Sequence, residues 1–120
     1  MPDPEPAWLS VTAMIPTGGG LADALTFYTE ELGFTVLWEG GEMAGIGRDG
    51  VSFHLVVNDN REWAENSSDS IGVSDLDAIH EEYRDVAARV GPLEMKLWGR
   101  REFHMIVPSG VCLQFYQAGR

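Results

Sequence analysis

Leu97-Trp98-Gly99-Arg100-Arg101-Glu102-Phe103, followed after four residues by Pro108-Ser109-Gly110-Val111, is the stretch that decides how the chain is read. It describes a strand reached through an aromatic and a double arginine, a tight turn, and a last strand ending Leu113-Gln114-Phe115-Tyr116. A large aromatic beside a flexible glycine, two guanidiniums and a carboxylate suit the gripping of a planar or polar ligand. Leu97 to Phe103 holds no Ser, Thr or Cys, so it offers poor material for a nucleophile.

Working outward, the same unit occurs earlier. Gly50-Val51-Ser52-Phe53-His54-Leu55 aligns over Gly110-Val111-Cys112-Leu113-Gln114-Phe115 at an offset of 60 residues. Asp49-Gly50 is a two-residue hairpin signal between strands Met43 to Arg48 and Val51 to Val57. Upstream lie a strand over Phe34 to Trp38 and a turn at Gly40-Gly41. Leu21, Leu25, Tyr28 and Leu32 recur as one face of an amphipathic helix that Gly33 closes. Trp8 to Ile15 reads as a first strand ended by Pro16. Thr17-Gly18-Gly19-Gly20 is a loop without the residues of a P-loop or a dinucleotide fingerprint.

The second half repeats this order. Ile71-Gly72-Val73 is a short strand, and Leu76, Ile79, Tyr83, Val86 and Val90 predict a helix ended by Gly91-Pro92. Leu93 to Trp98, Glu102 to Val107 and Val111 to Gln117 predict three strands, and Asp77-Ala78-Ile79 answers Asp23-Ala24-Leu25. Asn58 to Asp69, polar with one aromatic at Trp63, reads as a linker with room for a helical turn. The expected fold class is α+β: two βαβββ modules related by a pseudo-twofold. Residues 1–7 form a loose tail; 8–120 form one domain, with module one at 8–58, linker at 59–69 and module two at 70–117.

Composition narrows the function. Nineteen acids against 8 Lys and Arg give a formal charge of −11, which argues against nucleic acid and anionic membrane surfaces and favours a cationic ligand. No apolar run approaches the roughly 18 residues of a membrane span, and the acidic, proline-rich start is unlike a signal peptide. The single cysteine, Cys112, allows no intramolecular disulfide and fits a cytoplasmic protein; it reads as a small buried hydrophobe.

Several stretches resemble the vicinal oxygen chelate superfamily, the glyoxalase, bleomycin resistance and ring-cleaving dioxygenase group. They are Leu25-Thr26-Phe27-Tyr28 through Leu32-Gly33-Phe34, Ala44-Gly45 with Arg48-Asp49-Gly50-Val51, Val73-Ser74-Asp75-Leu76-Asp77, and the opening stretch itself. The tryptophan-glycine-arginine-glutamate-phenylalanine run resembles the bleomycin resistance branch, with one extra arginine here. The resemblance implies paired modules with curled mixed sheets around a cavity, and a homodimer whose first strand crosses to the partner. It also implies, for the superfamily's enzymes, a divalent metal held from four strands. The corresponding positions fall near Ala13, on His54, near Ser68 or Asp69, and on Gln114. Only His54 is a good ligand, so no metal, no cofactor and no catalytic residue is expected.

Alternation sets Val51, Phe53, Leu55 and Val57 against Ser52, His54 and Val56, and Val111, Leu113 and Phe115 against Cys112, Gln114 and Tyr116. The helices should cover the more apolar face, leaving His54, Gln114 and Tyr116 towards an open cavity. By resemblance Trp98 is the stacking aromatic, and Trp38 and Met43 lie at the pocket mouth. Glu102, with Glu39 and Glu42, offers counter-charge; Arg100 or Arg101 pairs with Glu102, and His104 shares its face. His80 is expected to be exposed. The expected function is metal-independent sequestration of a cationic aromatic small molecule such as a bleomycin-type antibiotic, giving resistance. The alternative is a divalent-metal-dependent lyase, isomerase or dioxygenase of the same superfamily using His54.

Overall fold

A strand that alternates Val111, Leu113 and Phe115 with more polar residues must turn one side into an apolar layer. The computed structural model, which describes residues 5–119, does this twice. The first module runs β1 (Ala13–Pro16), α1 (Leu21–Thr26) continued by a π-turn over Phe27–Glu31, β2 (Thr35–Gly40), β3 (Met43–Arg48) and β4 (Val51–Val56). A one-turn helix α2 (Arg61–Glu65) then leads to β5 (Ser68–Val73), α3 (Leu76–Tyr83), β6 (Arg89–Val90), β7 (Glu94–Met95), β8 (Arg101–Ile106) and β9 (Cys112–Gln117). One sheet has the order β1-β4-β3-β2; the other runs β5-β9-β8, with β6 and β7 both paired to β8. In each sheet the first strand lies parallel to the last, Ala13 beside Phe53 and Ile71 beside Phe115, and the other pairs are antiparallel. The architecture is α+β with two mixed sheets, as the repeat predicts.

Local chemistry explains the element ends. The Leu32 amide donates to the Phe27 carbonyl, the i to i−5 bond of a π-turn, and the wider turn buries Phe27 and Tyr28 side by side. Gly33 then takes φ +81°, which lets the Phe34 amide reach back to the Tyr28 carbonyl and close the helix. Asp75 caps α3 by accepting from the Ala78 amide at 3.0 Å. The helices cover Phe53 and Leu55 of one sheet and Phe103, Met105, Leu113 and Phe115 of the other, all buried.

Four expectations are corrected. The first strand begins at Ala13 rather than Trp8: residues 5–12 have left the sheet, and Trp8 stands 100% exposed with Leu9 and Val11 nearly so. The second helix stops at Tyr83, because Arg89 and Val90 are drawn into the sheet against Ile106 and Met105. Pairing with a buried strand outweighs the helical spacing of Val86 and Val90, both weak helix formers. The strand expected over Leu93 to Trp98 shrinks to Glu94–Met95, since the Gly99 amide turns back to the Lys96 carbonyl with Gly99 at φ +86°. β5 begins at Ser68, inside the expected linker, which also carries α2. Residues 1–4 of the expected tail lie outside the described residues.

The modules are tied together by a polar clamp. Arg48 of β3 donates through Nη1 to the Leu32 carbonyl at 2.9 Å and to the Tyr83 hydroxyl, and pairs with Glu82 at 2.8 Å. Tyr83 in turn donates to the Leu32 carbonyl at 2.6 Å. The radius of gyration is 15.7 Å, above the about 13.6 Å expected for a compact domain of this length. Met14, Leu37 and Trp38 of the first sheet remain exposed within one chain.

Candidate ligand-binding site

The uncovered surface is the side of each sheet turned away from the helices. On the second sheet, pairing sets Glu102 beside Tyr116, and His104 beside Gln114, which lies beside Ser70. Glu102 is 0% exposed, yet it belongs to the open side: its carboxylate is covered by side chains rather than sunk in the core. Arg100 donates through Nε to Oε2 at 2.7 Å, and Trp98 through Nε1 to the same oxygen at 3.2 Å. His104 Nε2 lies 2.6 Å from Oε1. Burial pushes the Glu102 carboxyl up, but the bonds from His104, Arg100 and Trp98 outweigh it and hold the group below the ordinary carboxylate value.

The network continues across the sheet. The Arg100 guanidinium lies 3.9 Å above the Tyr116 ring centroid and donates through Nη2 to Ser70 Oγ at 3.2 Å. Ser70 Oγ donates to Gln114 Oε1 at 3.3 Å. Five residues expected at the site besides Glu102 are thus brought together: Trp98, Arg100, His104, Gln114 and Tyr116. Trp98 remains 61% exposed, held at its indole nitrogen and free on its face. Of the two arginines only Arg100 serves Glu102; Arg101 points the other way and pairs with Asp77 at 2.8 Å.

On the first sheet the open side is apolar and aromatic. Met14, His54 and Gly45 form one row across β1, β4 and β3, with Trp38 next to Gly45. A side chain at Gly45 would collide with the Trp38 indole, so the glycine is the seat on which Trp38 lies, edge-on to His54 at 5.1 Å between centroids. A bulge between Val36 and Trp38 turns Leu37 to this side as well, over Gly47. Trp38 is 42% exposed, Met43 is half-buried, and Glu39 and Glu42 are exposed beside them.

Some expectations shift. Glu102 is not a free counter-charge, because its oxygens are occupied by internal donors. Cys112 is the first residue of β9 and half-buried on the open side, where burial pushes its thiol up. His80 is half-buried, bonded to the Gly91 carbonyl at 3.0 Å and packed on Phe103. Sequence reasoning missed Met14, Leu37, Gly45 and Ser70. The first and last follow from strand register, which placed their positions one residue or two away; the glycine and the bulge carried no readable signal.

Pairing sets Met14 beside His54 on one sheet, and Ser70 beside Gln114 on the other. A thioether, an imidazole, a hydroxyl and a carboxamide do not fit a divalent metal. Among the described residues no three His, Cys, Asp or Glu side chains converge in a metal-binding group. No helix among them is long and apolar enough to cross a membrane.

No protein-family model matches the chain, and no curated protein matches it. Solved structures do. The bleomycin-binding protein of bleomycin-producing Streptomyces verticillus, complexed with copper(II)-bleomycin, matches with a TM-score of 0.84 at 24% identity, over 96% of this chain and 100% of that one. The bleomycin resistance determinant encoded on transposon Tn5 matches with a TM-score of 0.79 at 16% identity, over 94% and 100%. A glyoxalase/bleomycin resistance protein from Catenulispora acidiphila matches with a TM-score of 0.71 at 21% identity, over 93% and 100%. Over more than nine-tenths of its length, then, the chain has the fold of the bleomycin-binding and bleomycin resistance proteins.

Proposed function

We propose that the protein is a cytoplasmic, metal-independent homodimer of the bleomycin resistance branch that sequesters a cationic, aromatic small molecule of the bleomycin type. The observation that carries this reading is the pair of open sheet faces. One offers Trp38 with His54; the other offers Trp98 with its indole nitrogen tethered to Glu102 and Arg100 stacked on Tyr116. Flat aromatic groups stack on such surfaces without any covalent step. Glu42, exposed beside Met43, supplies counter-charge, and the net charge of −11 speeds capture of a cation.

What one chain leaves uncovered supports the dimer. Residues 5–12 carry Trp8, Leu9 and Val11 almost fully exposed, an arm suited to a partner's sheet. Two copies exchanging their arms would cover this apolar surface and bring module one of one chain to face module two of the other. Light scattering at micromolar concentration should then give twice the chain mass.

Calorimetric titration with metal-free and copper-loaded bleomycin tests the ligand. Saturable binding with a stoichiometry of one or two per dimer supports the proposal. No heat with either form removes bleomycin as the ligand and directs the search to other cationic natural products.

A further inference from the structure

A cavity lies at the junction of the two modules, on the helix side of the sheets, and none of the residues discussed above for antibiotic binding lines it. Its volume is about 400 Å³, within the range of small-molecule pockets. Leu32, Phe34 and Val51 form its wall in module one, and Val73, Ile79 and Phe115 its wall in module two. We propose that this inter-module cavity is a binding site for a neutral, planar aromatic molecule of two or three rings.

The chemistry of the walls and rim selects that class. The walls are branched aliphatic and aromatic side chains, and Phe34 and Phe115 are each held by stacking on a buried neighbour, Phe53 and Phe103. These faces are therefore preorganised. The guanidinium at the rim, Arg48, is engaged by Glu82, Tyr83 and the Leu32 carbonyl. With its donors turned to internal partners it does not recruit an anion, and an ion entering the apolar interior would lose its hydration without compensation. A neutral ring system loses little on entering and gains contact with both modules. The same clamp spans the two walls at the cavity's rim: Arg48 donates to the Tyr83 hydroxyl, and Tyr83 to the Leu32 carbonyl at 2.6 Å.

The test uses the whole protein and the neutral fluorophore N-phenyl-1-naphthylamine, which brightens on leaving water. Saturable enhancement at one probe per chain is expected. Val73→Phe and Ile79→Phe, which each push a ring into the cavity from a different element, should weaken the probe about tenfold or more. Trp38→Ala and Trp98→Ala, on the other side of the sheets, should leave it unchanged. In the unaltered protein, the methyl resonances of Leu32, Val51, Val73 and Ile79 should shift on probe addition, a readout that does not depend on any variant folding. Bleomycin binding should survive Val73→Phe, so failure of the antibiotic reading and failure of this one are separable. Absence of enhancement, loss of it in the tryptophan variants, or methyl shifts confined to Met14 and Met43 would overturn the proposal.

Discussion

The two sheets share a backbone plan and a core but not an open face. Val51, Phe53 and Leu55 correspond to Val111, Leu113 and Phe115, apolar residue for apolar residue, because each set must pack beneath a helix. On the other side His54 with Trp38 over Gly45 faces no buried charge. Gln114 and its neighbours belong to a network centred on the covered carboxylate of Glu102. The inner face of each repeat is constrained by close packing, which tolerates little change. The outer face is free to diverge, so a duplicated fold can build two unlike walls for one ligand.

The largest effects should be equal in the two halves. Phe53→Ala and Phe115→Ala should each lower stability by about 3–5 kcal/mol in urea unfolding, since both rings are buried in stacked pairs. A clear inequality would break the equivalence of the cores. Next come the open faces, where the halves should differ. Glu102→Ala removes the acceptor of Arg100, His104 and Trp98 and should cost about 2 kcal/mol, discounted for the partial exposure of Arg100. His54→Ala, at the equivalent position of Gln114 in a face with no such network, should cost less than about 0.5 kcal/mol.

Acid sharpens the same contrast. The Glu102 carboxyl titrates below its ordinary value in the folded protein, so its contribution is complete above the unfolded value and is lost as pH falls through the folded one. The stability gap between the native protein and Glu102→Gln should therefore narrow as pH falls below the ordinary carboxylate range. A gap that stays constant would mean that the carboxylate charge is not what holds the network. Gly45→Ala is expected to act on the open face of the first sheet more than on stability. The added methyl meets the Trp38 indole and must displace it, while the strand itself loses nothing, so stability should stay within about 1 kcal/mol. Tryptophan emission should change, and bleomycin affinity should fall, if Trp38 is part of the binding wall.

The duplication, the order of elements and the division of each β-hairpin into an inner and an outer face were all legible in the amino-acid sequence. They rest on local periodicity and turn chemistry: Asp49-Gly50 and Ser109-Gly110 set the hairpins, and alternation sets the faces. Of the residues now seen together around Glu102, His104, Gln114 and Tyr116 were legible from alternation, whereas Trp98 was placed there by resemblance alone. What the sequence could not carry is anything set by a partner element. Only tertiary structure decided that Val90 joins a strand instead of a helix, because Met105 offers it a ladder. It alone separated Arg100 from Arg101, because a side chain's direction depends on whether Glu102 or Asp77 stands within reach. It also turned Glu102 from a surface charge into a buried tether, since burial belongs to the neighbours that cover a group and not to the group's own position in the chain.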